Sequence, residues 1–281
     1  MADVDSKTKL VVREVACKTI LNRSSIDDYS LNCYTGCSHG CAYCYARYMQ
    51  RFHPHEEPWG AFVDVKTNAV EALDRQLRSA RPGEVFVSSA CDGWQPIEKE
   101  RRLTRACCQR LLDCGFRLNV LTKNSLVLRD FDIFDGRPVR VGVTVTTPSD
   151  TLRALWEPKA DSVENRWDVV RRAHQSGLET SVMLGPLLPF LSDDQRSIEV
   201  LLERAGDAGV DVIWFDALNP RPKVWESVHA LLQHQFPDLA ERYRSVLFAP
   251  VVRKAYCEGL HNRVVRIARR LGLGQRLAGC D

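Results

Sequence analysis

Three cysteines stand at spacings of four and three in Cys37-Ser-His-Gly-Cys41-Ala-Tyr-Cys44, a short stretch that also contains Gly36 and Gly40. Thiolates are soft ligands that select zinc, copper(I) or iron–sulfur clusters. A structural zinc site needs four closed ligands and would have to recruit Cys33 or His39. A cubane 4Fe–4S cluster held by three cysteines departs from the usual four-cysteine ligation and leaves its fourth iron open to a small molecule. By spacing alone, both remain open. The chain has eleven cysteines, and without an export signal they point to metal binding or catalysis before disulfides. Their distribution is uneven: four lie within residues 33–44, Cys91, Cys107, Cys108 and Cys114 form a looser group, and Cys17, Cys257 and Cys280 are scattered. For Cys107, Cys108 and Cys114 the expectation is a small, buried side chain on a helix.

The elements that must position these residues are legible as a rhythm. Short β-branched runs at residues 84–89, 116–122, 139–146, 179–184 and 210–217 alternate with amphipathic stretches near 98–114, 162–176 and 193–208, as repeated βα units around a parallel sheet do. Gly177 and Gly209 suit the left-handed ends of two of those helices. With a further strand at 29–32, about six units result, fewer than the eight of a closed barrel. The expected fold is therefore α/β, a partial, open (β/α)6 barrel of parallel strands. Residues 29–220 would form it, with 1–28 as an N-terminal extension and 221–281, starting near Pro222, as a helical C-terminal one. The interval 124–138 reads as irregular. In such sheets chemistry gathers at the carboxyl ends of the strands. The cysteine loop would follow strand one, Cys91 strand two and Lys123 strand three, Thr146 would end strand four, and all would face one cavity.

Composition sets outer bounds. The 281 residues carry a formal net charge of +3 with 44% hydrophobic and 27% charged residues, within the range of a soluble globular protein. No stretch of about 18 apolar residues occurs and the start MADVDSKTKL has no secretory pattern, so a cytoplasmic protein without a membrane partner is expected. The mild charge permits a nucleic-acid partner without demanding one. Arg263, Arg266, Arg269, Arg270 and Arg276 could form one basic face or simply a solvated one. The histidines offer no metal set and read as solvent or second-layer groups, and the Gly-rich dinucleotide fingerprint is absent.

The stretches LNCYTGCSHGCAYCYAR (31–47), CDGWQPIE (91–98), LTKNSLVLRD (121–130), VGVTVTT (141–147), EPKADSVENR (157–166) and MLGPLLP (183–189) together resemble the spore photoproduct lyase-related family of radical S-adenosylmethionine (SAM) proteins. Two positions depart from it: Cys33 replaces the usual proline, and Cys91 stands where many members have threonine. The resemblance implies that Cys37, Cys41 and Cys44 bind three irons of a 4Fe–4S cluster while SAM chelates the fourth. It places Tyr43 near the adenine, Ser89 at the amino group of SAM, and Lys123 at its carboxylate. Thr144 and Thr146, on one side of a strand by period two, offer hydroxyls to the ribose or methionine moiety, and Gly185 offers close approach to adenine. Glu157 and Arg166 are expected to pair. The implied activity is reductive cleavage of SAM, fed by a one-electron donor of flavodoxin or ferredoxin type, to a 5′-deoxyadenosyl radical that abstracts hydrogen from a substrate. A thymine lesion in DNA is the first candidate substrate, with Cys91 returning a hydrogen atom to the product. A peptide, a small metabolite or a modified RNA base is the alternative, and a zinc- or cluster-stabilised binding protein without turnover is the alternative of another class.

Overall fold

The β-branched runs pair in the order that their spacing along the chain suggests. In the computed structural model, which describes residues 9–221 and 223–278 and so leaves Pro222 and Cys280 outside, ten strands form two sheets. They are β1 (Val11–Val15), β2 (Leu21–Arg23), β3 (Tyr29–Leu31), β4 (Tyr34–Thr35), β5 (Phe62–Lys66), β6 (Glu84–Val87), β7 (Arg117–Thr122), β8 (Val139–Thr144), β9 (Glu179–Leu187) and β10 (Val212–Ala217). The large sheet runs β2-β3-β6-β7-β8-β9-β10. Its six strands from β3 to β10 are mutually parallel, and β2 is an antiparallel edge on β3. This is the expected open, six-unit parallel sheet. The smaller sheet, β1-β5-β4, packs beside it.

Alternation assigns the two faces. Val85, Val87, Leu118, Val120, Val141, Val143 and Val182 are fully buried against helix residues such as Leu111, Val169, Val170 and Leu201. Burial of a Val or Leu side chain is worth about 1.5–3 kcal/mol relative to exposure, so this face fixes the register. Their neighbours Glu84, Phe86, Arg117, Asn119, Leu121 and Arg140 are only half-buried and point to the opposite face, as the pleat requires.

The helices meet the sheet with recognisable caps. Ser162 caps Val163–Gln175 by accepting from the Asn165 N–H, and Asp194 caps Gln195–Asp207 by accepting from the Ser197 N–H. The turns after both helices take positive φ at Gly177 and Gly209. The expected helix at 98–114 is broken: Arg102 adopts φ +51°, separating Glu98–Arg101 from Leu103–Asp113. The cause is the buried Glu98 carboxylate, which accepts the Thr104 and Arg105 N–H groups at 3.1 and 3.0 Å and so starts a second helix. The strand expected at 84–89 ends at Val87, because Ser88 turns with φ +76°, and β8 ends at Thr144, two residues short of Thr146. The irregular interval 124–138 contains a 3-10 turn, Ser125–Asp130, and a short helix, Phe131–Phe134. A helix at Ala69–Leu77 and the small sheet have no counterpart in the sequence reading.

After β10 come Val224–Gln235, Ala240–Phe248 and Pro250–Arg270. The basic tail is largely engaged internally. Arg263 donates to the Asp193 carbonyl at 2.6 Å, Arg276 to the Val210 carbonyl at 2.8 Å, and Arg270 pairs with Glu199 at 2.6 Å. Arg266 and Arg269 face solvent. Among the described residues, no helix is long and apolar enough to cross a membrane.

Candidate cofactor site at the carboxyl ends of the strands

The loop that follows β3 and β4 carries Cys37 and Cys41, both buried, and Cys44, half-buried at the start of the 3-10 helix Tyr45–Arg51. Gly36 (φ +84°) and Gly40 (φ +67°) turn the loop on itself. At Gly36 a Cβ would lie 2.6 Å from the Phe62 carbonyl oxygen, so no other residue fits without displacing β5. Burial raises all three thiols, Cys41 up to about 12, and each is raised further by another thiolate of the trio or offset by Lys123. Binding iron would remove those protons, since thiolate is the ligating form. Among the described residues no three histidine, cysteine, aspartate or glutamate side chains converge on a point that a single ion could occupy. Cubane ligands attach to different irons and need not converge.

Side chains from the following loops hold this one in place. Gln95, fully buried, accepts the Ser38 N–H at 2.9 Å and donates to the Gly36 carbonyl at 3.3 Å. Asp92 accepts from Thr122 Oγ1 at 2.7 Å, the Trp94 N–H at 2.9 Å and the Lys123 N–H at 2.8 Å, and His39 Nδ1 lies 3.5 Å from its carboxylate. Of the two readings offered for the histidines, solvent or second-layer, His39 takes the second: it is buried against Asp92, and burial lowers its pKa.

Beside Cys41 lies a buried charge cluster. Arg166 pairs with Glu157, neither exposed, and also donates to the carbonyls of Thr144 at 2.9 Å and Asp161 at 2.9 and 3.0 Å. Burial would raise the Glu157 carboxyl, but Arg166, Lys123 and the Tyr43 hydroxyl together hold it at about 2. Burial likewise opposes the Lys123 charge, yet Cys41 and Glu157 outweigh it and keep that ammonium above its ordinary value. Lys123 Nζ sits 5.8 Å from the centre of the Tyr43 ring.

The structure therefore gathers Cys37, Cys41, Cys44, Tyr43, Lys123 and Thr146. Thr146 Oγ1 donates to Glu157 at 2.8 Å, and the Tyr43 hydroxyl bonds both Thr146 and Glu157. Thr144 is buried on β8 and gives its carbonyl to Arg166. Ser89 Oγ accepts from Asn32 Nδ2 at 3.0 Å, and Cys91 lies next to it, its Sγ 3.7 Å from Asn32 Oδ1. Gly185 is buried in β9, and a Cβ there would lie 3.2 Å from the Asp216 backbone nitrogen, so the close approach it permits is to β10. Cys33 points elsewhere, into the core, with its sulfur 3.8 Å from that of Cys107. The sequence reading missed Gln95 and Asn32. Their signal was present in the quoted stretches around them, but uncharged amides carry no chemistry of their own to single them out.

A model of the radical SAM superfamily matches residues 31–210. An uncharacterized protein of Methanocaldococcus jannaschii is 32% identical over 189 residues, 66% of this chain and 71% of its own length. An uncharacterized protein of Mycobacterium tuberculosis is 29% identical over 286 residues, 96% of this chain and 82% of its own. Among solved structures, a mutant spore photoproduct lyase with bound AdoMet and dinucleoside spore photoproduct superposes with a TM-score of 0.68 at 14% identity, covering 95% of this chain and 81% of that one. The parallel sheet, the cysteine loop at its carboxyl end and the length of the match agree, and this chain belongs to the radical SAM superfamily.

Proposed function

We propose that this protein is a SAM-cleaving enzyme that acts on a damaged thymine in nucleic acid, with a 4Fe–4S cluster held by Cys37, Cys41 and Cys44. The observation that carries the reading is the placement of Lys123 and the Glu157–Arg166 pair beside Cys41 at the carboxyl ends of the parallel strands. When bound, the cluster and SAM supply an organic radical by one-electron reduction from an external donor of flavodoxin or ferredoxin type. The protein's own residues bind, orient and exclude water. Lys123 offers a charge to the carboxylate of SAM, Ser89 its hydroxyl to the amino group, and Tyr43 the face of its ring to adenine. Thr144 and Thr146 border the same space. Cys91, whose thiol desolvation pushes above its ordinary value, would return a hydrogen atom to the product radical through its weak S–H bond.

Aromatic residues after the strand ends favour a nucleobase substrate. Tyr45 is 43% exposed beneath Arg221, whose guanidinium carbon lies 5.9 Å from the ring centre, and Phe190 is 39% exposed beneath Arg242 at 3.9 Å. Exposed rings backed by arginine are stacking platforms for unpaired bases, and base–aromatic stacking is worth about 1–3 kcal/mol per base. The solved lyase relative, with its bound dinucleoside spore photoproduct, offers the same chemistry as precedent.

The test is anaerobic reconstitution with iron and sulfide, followed by assay of reductant-dependent 5′-deoxyadenosine and of products from an oligonucleotide carrying a thymine lesion. Both should appear, and Cys91→Ala should keep the first while altering the second. Zinc uptake without SAM cleavage would sink the enzymatic reading, and SAM cleavage without any change in the oligonucleotide would sink the substrate.

A further inference from the structure

The cluster loop has little backbone hydrogen bonding of its own. Its internal bonds are long, Gly40 N–H to the Cys37 carbonyl at 3.4 Å and Cys44 N–H to the Cys41 carbonyl at 3.2 Å. The peptide groups on either side of Cys37 are satisfied by one side chain. Gln95 Oε1 accepts the Ser38 N–H at 2.9 Å, and Gln95 Nε2 donates to the Gly36 carbonyl at 3.3 Å. A primary amide sets a carbonyl acceptor beside an NH2 donor, as a peptide sets C=O beside N–H, so Gln95 pairs with the loop as a neighbouring strand would. It is fully buried and directly precedes Pro96 and the short helix from Glu98. From the other side, the Phe62 ring and carbonyl occupy the space a Cβ on Gly36 would need. Cys37 is therefore held between β5 and Gln95, while Asp92, three residues earlier, lies 3.5 Å from His39 on the same loop.

We propose that Gln95 is the positioning residue for the Cys37 thiolate, fixing the loop so that the cluster is retained and its electronic environment is set. This rests on Cys37 being a cluster ligand. Gln76 provides an internal contrast. It makes the same kind of bonds to the edge strand, accepting the N–H groups of Ile20 at 2.7 Å and Leu21 at 3.0 Å and donating to the Leu21 carbonyl at 2.7 Å, with no part in the cysteine loop. If Gln95 only stabilises the fold, replacing either glutamine should have the same consequences.

The experiment compares wild type, Gln95→Met, Gln95→Asn and Gln76→Met after anaerobic reconstitution, measuring iron release to a chelator and the electron paramagnetic resonance spectrum of the reduced cluster. Gln95→Met keeps the volume and loses both hydrogen bonds, and Gln95→Asn stays polar but is too short to reach both peptides. Each should release iron about tenfold faster or more, the size expected for a lost buried hydrogen bond, and should shift the spectrum. Gln76→Met should lower the melting temperature and leave both cluster readouts at wild-type values. Wild-type iron release and spectrum in both folded Gln95 variants, or equal acceleration in Gln76→Met, would overturn the inference. A wild-type chain that takes up no cluster, or a Cys37→Ala variant that keeps it, would overturn the cluster reading and this inference together. A cluster lost in Cys37→Ala but untouched in both Gln95 variants overturns the inference alone.

Discussion

The two ends of the same parallel strands use arginine–glutamate pairs in opposite ways. At the amino ends, Glu84, Arg117, Arg140 and Glu179 stand on β6, β7, β8 and β9, with Glu84 opposite Arg117 and Arg140 opposite Glu179 in register. Arg140 reaches Glu179 at 2.6 Å, and Arg117 reaches Glu84 at 3.4 Å and also pairs with Glu179. These side chains are 19–41% exposed. At the carboxyl ends, Glu157 and Arg166 come from the segment after β8 and are 0% exposed. The charges at the amino ends close that end and stay wet, so each pair is worth little. Those at the carboxyl ends are taken out of water, so each partner is indispensable to the other. Of these two sets of pairs, only the one at the carboxyl ends is out of solvent and beside Cys41.

The most severe break should come at the thiols. Alanine in place of Cys37, Cys41 or Cys44 should each abolish cluster retention and SAM cleavage, because an open cubane has no protein ligand to spare. Cys33→Ala should retain iron, since its sulfur lies in the core against Cys107. Iron and sulfide content after reconstitution decides this, and loss in Cys33→Ala equal to the others would indicate a four-cysteine site.

The next largest effect is expected at Glu157. Glu157→Gln leaves the Arg166 guanidinium buried without its counter-charge and should cost about 3–5 kcal/mol in denaturant unfolding. The acid limb follows from the carboxyl's fall from 4.5 to about 2. A carboxyl whose folded pKa is depressed contributes stability above its unfolded value and loses it as pH falls. The wild type should lose that contribution between about pH 4.5 and pH 2, and the variant should lack this part of the slope. A variant as stable as wild type, with the same acid limb, would make the pair at the carboxyl ends equivalent to those at the amino ends.

Lys123→Ala should act on the ligand more than on the fold. Losing one charge-assisted contact should weaken SAM binding by about 1.5–3 kcal/mol while iron content stays unchanged. Calorimetric titration of the reconstituted protein would read it, and equal affinity would return Lys123 to a packing role over Tyr43.

Much of the frame was legible beforehand. The β-branched runs and the glycines at 177 and 209 mark strands and helix ends through local chemistry, and cysteine spacing announces itself because few other uses need three thiols in eight residues. Thr146 was placed at a strand end and lies two residues beyond it, bonded to Glu157. What stayed hidden depends on long-range partners. The break at Arg102 follows from the Glu98 carboxylate capping Thr104 and Arg105. The small sheet needs β1 to meet β5 across about fifty residues, a pairing that no local pattern encodes. The arginine tail read as a possible basic face because sequence gives charge but not the carbonyls of Asp193 and Val210 that engage it.

The smallest expected effect is the one that tests the other side of the comparison. Glu179 accepts from both Arg117 and Arg140 at the amino ends, so Glu179→Gln removes the hub of that network without removing a cavity-filling side chain. If partial exposure governs its worth, the loss should be under about 1 kcal/mol in low salt. It should also fade as salt rises, because at about 1 M the Debye length is only ~3 Å and solvated pairs are screened. Iron content and SAM cleavage should stay at wild-type values, since the site lies at the other end of the strands. Parallel denaturation of wild type and Glu179→Gln in low and high salt gives the answer. A loss of several kcal/mol that persists in high salt would mean that the network at the amino ends is dry despite its exposure, and that burial does not separate the two ends.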